Sequence, residues 1–100
     1  MAYKIRLEPE ASTDIQEAID WYNKKQSGLG RKFYKSLQKS IDGLTLYPFY
    51  QVRYGGNVRC LPVKNFPYML HFTVDEHQNI VILRAVFHTS KSPESWTKRK

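Results

Sequence analysis

A chain of 100 residues, 41% hydrophobic and 25% charged, has the make-up of one soluble globular domain, expected to span 1–100, and leaves no room for a second. Sixteen Lys and Arg against nine Asp and Glu give a net charge of +7, a surface suited to nucleic acid, the ribosome or an acidic protein. No run approaches the about 18 apolar residues of a membrane helix, none resembles a secretory signal, and the one cysteine, Cys60, cannot form an intrachain disulfide, so the expected compartment is the cytoplasm.

The charge is unevenly placed. Residues 1–23 hold Lys4 and Arg6 against Glu8, Glu10, Asp14, Glu17 and Asp20, a balance of −3, which leaves +10 on residues 24–100. Residues 3–7 alternate apolar and polar and predict a half-buried strand that Pro9 ends. Residues 11–26 predict a helix, with Ala11, Ile15, Ala18, Ile19 and Tyr22 on one face. Thr13 and Gln16 are spaced as a capping box, and the crowd of acids suits the positive end of the helix dipole. Ser27-Gly28 breaks this helix, and residues 29–46 predict a second. Its inner stripe is Leu29, Phe33, Leu37, Ile41 and Leu44; Arg31, Lys35 and Lys39 make a basic outer row with Lys32 beside it. The short link predicts an antiparallel helical hairpin.

From residue 49 the pattern changes to strands: 49–53, 58–63, 68–74 and 80–88, with turns at Tyr54-Gly55-Gly56-Asn57, Lys64-Asn65 and residues 75–79. The run 80–88 is the most apolar and predicts the central strand of the sheet. The order β-α-α-β-β-β(-β) is that of an α+β domain, an N-terminal strand and a helical hairpin packed on a mainly antiparallel twisted sheet.

No phosphate-binding glycine loop, nucleophile elbow or zinc-protease helix motif is present. His71, His77 and His88 are scattered without metal-ligand spacing, so neither a metal nor another cofactor is expected. Cys60 alternates within a strand and reads as a small core hydrophobe. What remains is basic and aromatic: Arg53, Arg59, Lys64, Arg84, His88 and Lys91 lie on or beside strands. Arg84 interrupts an apolar strand and needs a carboxylate, a ligand or a wet face. His88 ends that strand, where an imidazole can transfer a proton or cap the backbone. Trp21, Tyr22, Tyr34 and Tyr47 offer aromatic surface for core or partner.

The chain resembles the RelE/ParE toxin superfamily, on its ParE-like, plasmid-stabilisation side. The resemblance is carried by Ala11 to Asp14-Ile15, Ala18 and Trp21-Tyr22; by Gly28-Leu29-Gly30 with Phe33; by Tyr47-Pro48, Val58-Arg59, Phe66-Pro67-Tyr68 and Phe72; and by Ile82-Leu83-Arg84-Ala85-Val86 followed by His88, Lys91, Pro93 and Trp96. It covers nearly the whole chain in order. It implies a microbial-RNase-like fold, a toxin that stops bacterial growth, and a cognate acidic antitoxin that wraps it.

The superfamily divides in mechanism. RelE-like members are ribosome-dependent mRNA endonucleases, and ParE-like members inhibit DNA gyrase without being nucleases. Met69 stands near where a RelE-type arginine belongs, Leu61 and Pro62 where basic residues belong, and Trp96 where a tyrosine belongs. These departures favour a gyrase-binding toxin that is not an enzyme, with RelE-like mRNA cleavage as the alternative. Placed on neighbouring strands and the tail, Arg59, Arg84, His88 and Lys91 are expected to converge on one concave face and, with Trp96, to contact the target, with His88, Arg59 and Arg84 catalytic only in an RNase. Trp21, Tyr22, Tyr34, Arg31 and Lys35 are assigned to the antitoxin.

Overall fold

Pro9 opens a helix instead of merely ending a strand, because its fixed φ and missing N–H cost nothing at the first helical position. In the computed structural model, which describes residues 3–50, 52–54 and 57–89, the elements are β1 (Lys4–Leu7), α1 (Pro9–Lys25), α2 (Leu29–Leu44), a short 3₁₀ turn (Pro48–Tyr50), β2 (Val52–Tyr54), β3 (Val58–Pro62), β4 (Tyr68–Asp75) and β5 (Ile80–His88). The hairpin and strands β1, β3, β4 and β5 fall where the periodicity puts them, whereas β2 comes later than the expected 49–53 and includes Tyr54. Three local expectations need correction. Helix α1 starts two residues before Ala11, and Thr13 lies inside it, its hydroxyl donating to the Pro9 carbonyl, so no capping box forms. Helix α2 stops at Leu44, leaving Leu46 and Tyr47 exposed. Residues 48–50 turn before β2, since Pro48 cannot donate to a ladder.

The helix-helix link is closed by two glycines with different jobs. Gly28 adopts φ +87°, a left-handed conformation that glycine reaches without a Cβ clash. Gly30 lets the helices touch: a Cβ there would stand 2.6 Å from the Ile19 carbonyl oxygen. Asn23 of α1 accepts the Gly30 N–H through Oδ1 at 2.9 Å, so one helix caps the other.

The five strands lie in the order β1-β5-β4-β3-β2, so β4 is central and not, as its apolar run suggested, β5, which is buried by β1, β4 and the helices. Strand β1 runs parallel to β5 and the other neighbours are antiparallel, as a chain crossing over through two helices requires. The hairpin covers one face. Ala11, Ala18 and Tyr22 of α1 and Phe33, Leu37, Ile41 and Leu44 of α2 pack on Leu70, Phe72, Val81, Leu83 and Val86. Tyr22 and Phe33 meet Phe66 and Tyr68 with ring centroids 5.1–6.0 Å apart.

Strand β5 carries a bulge. His71 pairs with Ala85 and Phe72 with Leu83, which leaves Arg84 as the extra residue. The bulge resets the alternation: Val81, Leu83, Val86 and His88 take the helix side, and Ile80, Ile82, Ala85 and Phe87 the other. Residues 81–83 and 85–87 are all buried, which accounts for an almost continuous apolar run.

His71 lies on the face away from the helices, 1% exposed, its ring 5.2 Å from that of Phe87. Burial pushes its pKa down from 6.5 to about 4, so the folded protein holds the imidazole neutral. The unfolded chain takes up this proton below pH 6.5 and the folded one does not until about pH 4, so stability falls as pH falls through that window. The loss from this group amounts to about 3 kcal/mol by pH 4. Urea unfolding of the wild type and His71→Phe from pH 7 to pH 4 should therefore give curves that diverge, the variant changing less with pH; parallel curves would contradict the assignment.

Candidate functional site

Strand β1 ends at Leu7, opposite Leu83, and the Glu8 N–H donates to the Leu83 carbonyl at 2.9 Å before the chain turns into α1. The last part of β5 is thus left without a neighbouring strand on that side, and α1 packs there instead. The Asp14 carboxylate closes this edge by accepting the Val86 N–H through Oδ2 at 3.0 Å.

Beside that contact opens a cleft of about 380 Å³, lined by Asp14, Glu17, Ala18, Trp21, Tyr68, Val86, Phe87 and His88. His88 stands edge-on to Tyr68 with centroids 5.2 Å apart, and burial raises the Tyr68 phenol above its usual pKa. Trp21 is half exposed at the rim, with the Lys25 ammonium 4.9 Å from its ring centroid. Two carboxylates, an imidazole, a phenol and an indole make a cleft that favours a basic or apolar group and repels a phosphate.

The cationic residues expected to converge are held apart. Arg59 lies on the helix side, its guanidinium 5.1 Å from the Phe49 ring centroid and donating to the Phe49 carbonyl at 3.0 Å. It pairs across β4 with Phe72, whereas His88 pairs with Tyr68. Four residues of β4, roughly 13 Å, separate the two positions along the strand, and β4 itself stands between them. Arg84 points to the opposite face, where its Nε donates to Thr73 Oγ1 at 3.0 Å and its guanidinium lies 3.6 Å from Glu8. It lines a second cleft, of about 370 Å³, with Asn57, Asp75, Glu76 and His77. Arg84 is thus met by both a carboxylate and a wet face. Lys91 and Trp96 lie outside the described residues.

Among the residues expected at a partner surface, Trp21 and Tyr34 are half exposed and Arg31 and Lys35 exposed, while Tyr22 is 7% exposed and a core ring. Asp14, Glu17 and Tyr68 were given no functional role from sequence. The spacing 11-14-18-21 could have found Asp14, since it sets that residue on the inner margin of α1 beside Ala11 and Ala18. No group of His, Cys, Asp and Glu among the described residues could hold a metal ion, and none of their helices is long and apolar enough to cross a membrane.

Removing the carboxylate in Asp14→Ala leaves the Val86 N–H without its acceptor and should cost about 1–3 kcal/mol in chemical denaturation. Asp14→Asn keeps an acceptor oxygen and should cost less. Equal losses in the two variants would show that the hydrogen bond does not fasten α1 to β5.

The model of the ParE toxin of the type II toxin–antitoxin system parDE matches residues 5–93. No curated protein matches by sequence. Among solved structures, the chromosomal ParDE system of P. aeruginosa superimposes with a TM-score of 0.76 at 13% identity, over 87% of this chain and 96% of that one. An E. coli RelE double-arginine variant in the free state gives 0.64 at 17% identity, over 99% and 95%. The RelBE2 toxin–antitoxin complex of Mycobacterium tuberculosis gives 0.62 at 15%, over 88% and 99%. These likenesses concern the fold; the family follows from the match over most of the sequence. The chain belongs to the ParE toxin family and is the toxin of a type II toxin–antitoxin system.

Proposed function

We propose that the toxin stops growth by binding DNA gyrase and is not itself a nuclease. The observation that carries this reading is the dispersal of Arg59, Arg84 and His88: one is engaged with Phe49, one lies on the opposite sheet face, and one sits in a cleft beside two carboxylates. Phosphodiester cleavage needs proton transfer and charge stabilisation at the same phosphate. A binding surface needs no such convergence, and Arg59, Arg84, His88, Lys91 and Trp96 can each contribute a part of it. Gyrase as a target places the protein in the cytoplasm.

Neutralisation is assigned to a cognate antitoxin, in keeping with the toxin–antitoxin assemblies among the solved relatives. Its apolar anchor belongs at Trp21 and Tyr34, the exposed aromatics of the hairpin, and a basic or apolar side chain fits the Asp14–Glu17 cleft.

The test is growth. Induction of the chain alone should arrest bacteria, and co-expression of the gene for the antitoxin should relieve the arrest. Among folded variants, toxicity should fall by about tenfold or less in each of Arg84→Ala, His88→Ala and Trp96→Ala, because no single contact dominates a spread surface. Loss of a general acid or base typically costs 10²–10⁴-fold in rate, so a collapse confined to His88→Ala would turn the reading to mRNA cleavage.

A further inference from the structure

The helical hairpin is electrically polarised. Residues 8–20 hold five carboxylates and no Lys or Arg, whereas residues 24–39 hold Lys24, Lys25, Arg31, Lys32, Lys35 and Lys39 and no carboxylate. All six cations are exposed, and among the described residues none is paired with an acid. Four of them belong to α2. With Phe33, Leu37 and Ile41 turned into the core, the opposite meridian of α2 faces outward. At 3.6 residues per turn, Lys35 stands close to that meridian, and Arg31 and Lys32, about 100° apart, flank it on either side. Lys39 continues the row, which spans roughly 12 Å from Arg31. The lone acid of α2, Asp42, accepts from Gln38 at the far end.

We propose that this outer face of α2 docks on the phosphate backbone of duplex DNA. The side chains of the face decide between kinds of polyanion. A protein partner needs a buried apolar or aromatic anchor at the centre of its interface, and the centre of this face holds only Arg31, Lys32, Lys35, Gln38 and Lys39, with Asp42 at its end. Single-stranded nucleic acid is held by aromatic stacking platforms, which the same centre lacks. A duplex backbone asks only for a row of cations. The major groove of B-form DNA, about 12 Å wide, admits a helix whose two flanks carry positive charge, and the deep, narrow groove of an RNA duplex does not. The DNA surface is therefore distinct from the Trp21 cleft, and it takes Arg31 and Lys35 out of the antitoxin surface. It holds whether or not gyrase is the target.

Fluorescence anisotropy of a short labelled DNA duplex with the full chain tests this. With four phosphates neutralised, log K should fall against log salt with a slope of about −3.6, a loss of about 100-fold between 50 and 200 mM. Replacing Arg31, Lys32, Lys35 and Lys39 together by Ala should abolish most binding and flatten the slope. Lys4→Ala with Arg6→Ala, exposed cations on β1, should change neither. If the fourfold variant fails to fold, the single exposed substitution Lys35→Glu should still weaken binding by about tenfold. Unchanged affinity in the folded α2 variants overturns the proposal. So does equal or tighter binding of an RNA duplex or of polyglutamate, which would make the face a site for RNA or for an acidic protein.

Discussion

The packing of Tyr22 and Phe33 onto Phe66 and Tyr68 is the contact on which the molecule's other surfaces depend. It ties both helices to β4 and to the loop before it. Such ring pairs contribute about 0.5–1.5 kcal/mol each beyond the area they bury. Because Tyr22 and Phe33 turn inward, their neighbours Trp21 and Tyr34 must turn out, and the cationic positions of α2 fall on the far side of the helix. Tyr68 also supplies the wall against which His88 rests. The same cluster thus sets the core, the rim of the cleft and the orientation of the basic row.

Much of the fold was legible in the residues. The helical stripes gave both helices, because a period of three to four in Ala11, Ala18, Tyr22 and in Phe33, Leu37, Ile41 has one structural solution. The apolar run 80–88 marked a strand with neighbours on both sides but not the centre of the sheet, which is β4, because apolarity reports burial and not strand order. The misplaced ends had local causes. Pro9 belongs equally to the end of a strand and the start of a helix, and Thr13 resembles a cap until the helix is known to begin before it. The bulge at Arg84 was hidden, since one extra residue in a strand leaves no mark on an apolar pattern that is buried on both faces.

The site was less legible, and the reason is geometric. Sequence places Arg59, Arg84 and His88 on strands but says nothing of which strands pair or which face each residue takes. Registers Arg59–Phe72 and Tyr68–His88, together with the bulge, send Arg84 to one face and separate the other two. The acids of α1 read as helix-dipole partners, yet Asp14 instead holds the unpaired edge of β5, a bond spanning 72 residues. Charge read along the chain was more informative: the basic α2 row survives folding intact, because a helix keeps the spacing that the sequence displays.

The proposed toxin binds its target and does not cut RNA. The direct measurement adds the purified chain to two reconstituted systems, DNA supercoiling by gyrase and translation of a defined mRNA, at equal concentration. Supercoiling should stop at toxin levels comparable to those of gyrase while the mRNA stays whole and is translated. Cleavage of the ribosome-bound mRNA with supercoiling untouched would overturn gyrase binding as the mode of toxicity.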